Sequence, residues 1–325
     1  MGDDRVRDAV GHAPIRPPSR REPPLVIAHR GASGYLTEHT LAAKKLAHEQ
    51  HADYLEQDVV ATRDGQLVVC HDLYLERLTN VADVFPGRCR DDGHFYVIDF
   101  DWDEVCELRR RSVPQQLASA DARAALPGNP DFQRLHTLAE ELAFIDSLNA
   151  ASDHTAGIYT EIKHPAWHRE HGFDLTQAVV DALEHAGYAE ADGSVFIQCF
   201  DARELERIKD SFGSAVPLVL LVGRSVDRQT LAPDGLAAVA DYATALAPNF
   251  VLLFRRDVTD RPVLSALAAD ARAAGLALHP YTFNYAALPV YANDLEGFLR
   301  IVYGLLRPDA VFCDFPDVAV SARSS

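Results

Sequence analysis

Short β-branched and aliphatic runs alternate with helix-like stretches along most of this chain, and that alternation limits the fold more than any other feature. The runs are LVIAH (25–29), YLEQDVVA (54–61), LVVCH (67–71), GIYTEIK (157–163), VFIQCF (195–200), PLVLLV (217–222), YATALAP (242–248), LALHPYTF (276–283) and AVFCDF (310–315). Between most of them lie stretches with apolar residues every three or four positions: 41–50, 174–187, 201–213, 262–275 and 294–306. Strands that alternate with helices pair in parallel, because each crossover helix carries the chain back to the start of the next strand. Gly187 and Gly275 stand where two of the helices should close.

Nine runs are one too many for an eight-stranded barrel. The excess is local, because 54–61 and 67–71 flank Asp64-Gly65, a strong hairpin signal. A hairpin supplies no crossover, so one of its strands lies outside the parallel set. The expected fold is therefore α/β, a TIM-like (β/α)8 barrel with an insertion between the third strand and the fourth. The alternative is a doubly wound open sheet, which is weakened because no G-x-G-x-x-G follows the first run. Residues 1–24 mix arginines, acids and prolines without an apolar segment and read as a flexible arm rather than a signal peptide. Residues 25–325 read as one barrel domain. The insertion spans 73–156, contains a proline- and glycine-rich piece ending PGNPDF, and includes a helix from Thr137 with a Thr137/Glu140 capping box. It is expected to shape a substrate mouth or to cover the barrel.

Composition excludes several classes of function. The 325 residues carry 31 basic and 48 acidic side chains, a formal charge of −17, which disfavours nucleic acid and anionic membranes as partners. No apolar run reaches the roughly 18 residues that span a bilayer. The five cysteines, at 70, 89, 106, 199 and 313, show no C-x-x-C spacing and read as inert thiols. The chain as it stands reads as cytoplasmic, or as periplasmic if a leader has been removed.

In a parallel barrel the chemistry sits at the C-terminal ends of the strands. That rule selects His29-Arg30, His71-Asp72, and Glu161 with Lys163, while Glu56 and Asp58 lie two apart on one face of a strand. A two-residue turn at Asp64-Gly65 places His71 opposite Asp58. A three-residue loop over Arg63-Asp64-Gly65 shifts the register by one and turns His71 away. The first is preferred because it assembles a site. Three converging carboxylates repel unless a cation lies among them or their pKa values rise, and all-oxygen ligands select Mg²⁺ or Ca²⁺ over zinc. Taken singly, each residue also has a structural explanation: salt bridges for the acids, packing for the histidines, charge neutralisation for Arg30 and Lys163. Together they suit phosphoryl transfer, which needs two proton carriers, a divalent ion and cations for the remaining charge.

The strings AHRGASGYLTEHTLAA (28–43) and YLEQDVVATRDGQLVVCHD (54–72) resemble the glycerophosphodiester phosphodiesterase family, with its HR opening, E-x-D pair and HD after a hairpin. YTEIK (159–163), IQCFDA (197–202), LHPYTFN (278–284) and VFCDFPD (311–317) extend the resemblance over roughly 25–320. The insertion is similar to that of bacterial periplasmic-type members. The resemblance implies a metal-dependent hydrolase that cleaves a small-molecule glycerophosphodiester to sn-glycerol 3-phosphate and an alcohol. His29 and His71 then match the catalytic histidines, with His29 assigned as base and His71 as acid, or the reverse. Glu56, Asp58 and Glu161 match the metal ligands, with Ca²⁺ preferred and Mg²⁺ possible. Arg30 and Lys163 match the phosphate-side cations, and Glu38 the supporting acid. Phe200 and Tyr281 are candidates for the glycerol pocket. His39 stands where many members carry Asn. Competing readings are a cyclising phospholipase of the related barrel type and a silent glycerophosphodiester-binding protein. The first should expose an apolar rim and the second should have lost a catalytic group. A zinc amidohydrolase would need H-x-H in place of His29-Arg30.

Overall fold

A computed structural model describes residues 23–111, 134–188, 194–212, 215–324. Most of the proposed arm and the PGNPDF segment lie outside the described residues. Eight parallel strands form the barrel: β1 (Leu25–Ala28), β2 (Tyr54–Ala61), β4 (Gly157–Ile162), β5 (Val195–Cys199), β6 (Leu218–Val222), β7 (Ala245–Pro248), β10 (Ala277–Leu278) and β11 (Ala310–Cys313). The order runs β10-β7-β6-β5-β4-β2-β1-β11. The ring is closed by backbone bonds between the segment after β10 and β11, Asp309 N–H to Leu278 O, Phe312 N–H to Pro280 O and Phe283 N–H to Phe312 O. The run 276–283 forms only a two-residue regular strand because Pro280 has no N–H to continue the ladder. The ninth run is β3 (Leu67–Val69), antiparallel on β2 and off the ring. A further hairpin that the sequence reading did not anticipate, β8 (Phe254–Arg256) with β9 (Pro262–Leu264), follows β7.

The β2–β3 register corrects the favoured turn. Val59 pairs with Val69, Val60 with Val68 and Ala61 with Leu67, so the loop is the three-residue Arg63-Asp64-Gly65. Gly65 adopts φ 84, as this loop class requires of its last residue. Asp64 is occupied with the Thr62 hydroxyl and the Trp102 N–H. Cys70, not His71, lies opposite Asp58, with its N–H on the Asp58 carbonyl.

Strand alternation divides the interior. Ile27, Tyr54, Tyr159, Phe196, Val219 and Phe312 fill the barrel from the inner face. Residues two or four further along the same strands, Glu56, Asp58, Glu161 and Gln198, are buried above this plug. The outer faces pack on the helices through a second, larger cluster that includes Val26, Leu55, Ile158, Ile197 and Leu220. The segment after β3 has its own apolar cluster, with Leu75, Phe100 and Val105 at its centre. The Thr137/Glu140 capping box forms as expected at the helix Leu138–Ala150, and Gly187 and Gly275 take φ 93 and 88 past their helices. Cys70, Cys199 and Cys313 are buried free thiols, Cys106 is half-buried and Cys89 exposed.

Lys44, on the helix Leu41–Glu49, is fully buried and reaches both Glu141 (2.8 Å) and the Glu56 carbonyl. Glu141 also pairs with His136 Nε2 at 2.6 Å. Removing one member of such a pair leaves an uncompensated charge in the interior. Lys44→Met is therefore expected to cost about 3–5 kcal/mol in urea unfolding. An unchanged midpoint would show that this network does not hold the helix to the barrel.

Candidate active site

The buried acids of the inner layer are in register across the strands. Asp58 sits beside Glu161, and Glu161 beside Gln198, whose Nε2 reaches Glu56 Oε1 at 3.3 Å. Lys163 bridges two of the acids, with Nζ 2.7 Å from Glu161 and 3.6 Å from Asp58. Arg30 approaches from the other side: Nε lies 3.3 Å from Asp58, Nη1 donates to Glu38 at 3.0 Å and its N–H donates to Glu56 at 2.6 Å. Arg30 and His39 both have left-handed backbone, φ 60 and 53. For non-glycine residues that conformation is strained and persists only where surrounding contacts over-determine it, as these do.

Charge is tightly coupled here. Burial, then Asp58, pushes Glu56 well above the usual carboxylate range. Asp58 is held well below it: Lys163, Arg30 and His39 together outweigh the burial that would raise it. Glu161 is pushed up to about 8, first by burial and then by Asp58, against the pull of Lys163. Burial opposes the charge of Arg30, but Asp58, Glu38 and Glu56 hold its pKa above the ordinary value. Glu38 falls to about 2 despite burial, because Arg30 and Arg77 face it.

Both histidines present the same local arrangement. His29 Nδ1 lies 2.6 Å from Asp314 Oδ1, and His71 Nδ1 lies 2.5 Å from Asp72 Oδ1. With Nδ1–H donated to a carboxylate, each ring keeps Nε2 for proton transfer, and the carboxylate stabilises the imidazolium. Burial lowers the pKa of His71 in spite of Asp72, and Asp58, Arg30 and Lys163 are near enough to bear on it. His71 thus reaches the site although the hairpin register turns its strand position away. The chain leaves β3 at Val69 and bends at His71 and Asp72.

A cavity of about 650 Å³ adjoins the cluster, lined by Glu161, Lys163, His164, Trp167, Phe200 and Asp201 among others. Tyr281 donates to the Val222 carbonyl at 3.1 Å and meets Phe200 edge-on, with ring centroids 6.1 Å apart. All ten residues selected from the sequence therefore surround one mouth at the C-terminal ends of the strands. Asp72, which the strand-end rule picked with His71, joins them, as do four residues that were not selected. Asp314 and Asp72 orient the histidines, and Asp314 could have been found by the same rule. Arg77 bonds to Glu38 and Asp72, and buried Arg110 donates to the carbonyls of Glu38, His39 and Val69. Both arginines come from the long segment after β3, where no periodicity marks them. His39, buried with Nε2 2.7 Å from Asp58, is the fourth.

The residues fit a divalent cation. Asp58 Oδ1 is buried without a hydrogen-bond donor, and burial with the neighbouring acid pushes two adjacent carboxyls towards protonation. His39, Glu56 and Asp58 offer ligand atoms within 4.8 Å of one another. Burial lowers His39 to about 3, so its ring is neutral, able to steer Asp58 or to ligate.

A parallel barrel with paired His–Asp dyads over a carboxylate and cation cluster defines a class of barrel phosphodiesterase-like sites. The sequence model of the glycerophosphoryl diester phosphodiesterase family matches residues 29–318, and the chain belongs to that family. It is 35% identical to the glycerophosphodiester phosphodiesterase of Haemophilus influenzae over 91% of this chain and 88% of that protein. Identity to the glycerophosphodiester phosphodiesterase of Treponema pallidum is 34%, over 91% and 90%. Among solved structures, an Oleispira antarctica phosphodiesterase in complex with the product sn-glycerol-3-phosphate has the same fold, at TM-score 0.63 and 24% identity over 93% of this chain and 98% of that one.

Proposed function

We propose that this protein hydrolyses glycerophosphodiesters to sn-glycerol 3-phosphate and an alcohol, using a divalent cation and two histidines. The observation that carries the reading is the pair of imidazoles, each held by a carboxylate, facing one cluster of three acids and two cations. Family membership supports the substrate class, since the relatives at 34–35% identity are named for this activity. Glu56, Asp58 and Glu161 would hold the cation, which when bound polarises a phosphoryl oxygen and offsets charge in the transition state. Arg30 and Lys163 bind the phosphate and share its remaining charge.

One imidazole takes the proton of the attacking group and the other protonates the departing alcohol, each braced by its carboxylate. The order taken here is that of the sequence, His29 as base and His71 as acid. The attacking group is water or the substrate's own 2-hydroxyl, and the cavity beside Phe200 receives the substrate. Release of glycerol 3-phosphate from glycerophosphocholine, followed by a coupled assay, tests the function. No release with any glycerophosphodiester would overturn it. A binding protein is disfavoured because neither histidine nor any of the acids is lost.

Glu161 adds a test of the cation site that does not depend on turnover. Its raised pKa means that it carries a proton near pH 7, and a cation bound there displaces that proton. Cation affinity should therefore rise with pH up to about 8 and level off above it. Calorimetry in buffers of different ionisation enthalpy should show proton release. Affinity independent of pH over that range would remove Glu161 from the ligand set.

A further inference from the structure

Apolar exposure on this molecule is concentrated at one rim. The large apolar side chains exposed among the described residues are Phe200, Val258, Val263, Leu264, Val290 and Leu305. All but Leu305 lie in the segments, the β8–β9 hairpin included, that follow the C-terminal ends of β5, β7 and β10, the end of the barrel that carries the site. Val258, at the turn of the β8–β9 hairpin, is wholly exposed, and Val290 is 82% exposed. The hairpin and the 290 loop are neighbours, because Phe254 of one and Tyr291 of the other both pack on Phe298.

Two loops of this end carry a local excess of positive charge in a chain of net charge −17. The loops after β6 and β7 expose Arg224, Arg228, Arg255, Arg256 and Arg261 against Asp227, Asp257 and Asp260. The aspartates are engaged locally: Asp227 takes the Gln229 N–H, Asp257 the N–H groups of Thr259 and Arg261, and Asp260 pairs with Arg256. Arg224, Arg228, Arg255 and Arg261 have no carboxylate partner among the described residues. From 280 to 293 the chain has no Lys, Arg, Asp or Glu, but has Tyr285, Leu288, Val290 and Tyr291. Exposed aliphatic tips beside unpaired arginines match the two layers of a lipid–water interface, acyl boundary and anionic headgroup.

We infer that this rim, Val258 and Val290 flanked by Arg255 and Arg261, docks the catalytic mouth on an anionic lipid surface. The net charge of −17 speaks against an anionic surface for the molecule as a whole, so docking depends on this local arginine patch with the acidic remainder held beyond screening distance. Docking does not depend on which headgroup the enzyme releases, and its test reads binding, not turnover. Sedimentation with phosphatidylcholine vesicles that contain phosphatidylglycerol should retain the protein, and pure phosphatidylcholine vesicles should retain at least about tenfold less. High salt should release it. Val258→Asp/Val290→Asp and Arg255→Gln/Arg261→Gln should each lose vesicle binding, with near-ultraviolet circular dichroism and hydrolysis of water-soluble glycerophosphocholine unchanged. The inference is overturned if the parent fails to bind, binds both vesicle types equally, or if either double variant binds as the parent does.

Discussion

Replacing either His29 or His71 by alanine is expected to lower kcat by at least about a hundredfold, or roughly 2.7 kcal/mol of barrier. The size follows from what a positioned acid or base typically contributes, and both rings are positioned, at 2.6 and 2.5 Å from their carboxylates. Folding should survive, since both side chains sit at the rim and neither belongs to the barrel packing clusters. A p-nitrophenyl leaving group separates the two roles, because it departs as a stable anion and needs little protonation. With that substrate the variant lacking the acid should recover most of its rate and the variant lacking the base should not. His71→Ala is the variant expected to recover, with His71 as the acid; rescue of His29→Ala instead would establish the opposite order. Near-normal rates for both variants on a glycerophosphodiester would remove the two-histidine mechanism. Asp314→Asn and Asp72→Asn should each lose part of the same activity, because an amide can present its N–H to Nδ1 and so favour the wrong tautomer.

Chelation should abolish turnover, and added Ca²⁺ or Mg²⁺ should restore it. Arg30 and Lys163 already lie among the acids, so the alternative to be excluded is that these two cations suffice. They do not satisfy the cluster: Asp58 Oδ1 has no donor, and Glu56 and Glu161 are still pushed upward. Asp58→Asn should therefore lose at least about a hundredfold in kcat and also weaken cation binding, which calorimetry reads separately. Full activity in rigorously cation-free protein would show that the arginine and lysine carry the phosphate alone. The identity of the ion turns on His39. If only oxygen atoms ligate, a hard cation is selected, whereas a histidine nitrogen shifts preference towards Mn²⁺ or Zn²⁺. His39→Asn should weaken binding of Ca²⁺ and of Mn²⁺ alike, by about 10–100-fold, if the ring only steers Asp58 through its 2.7 Å bond, and should weaken Mn²⁺ selectively if the ring ligates.

Local rules on the sequence determined much of this protein. Period-two alternation in YLEQDVV put Glu56 and Asp58 on one face, and the strand–helix succession implied a parallel barrel whose C-terminal ends carry the chemistry. The caps at Thr137, Gly187 and Gly275 were legible for the same reason, since each depends on a few adjacent residues. Tertiary structure decided what no adjacent residue controls. The hairpin takes the three-residue loop, in which Asp64 also accepts the Trp102 N–H, a group 38 positions away. His71 then entered the site by a bend in the chain and not by its place on the strand. Arg110 and Arg77 became part of the mouth because packing of the segment after β3 carries them there. The pKa values of Glu56, Asp58 and Glu161 diverge by a balance of burial and facing charges from several strands. Hydrophobic periodicity and turn chemistry act within a few residues and can be read along the chain. Burial and electrostatic coupling sum over groups that only the closed barrel brings together.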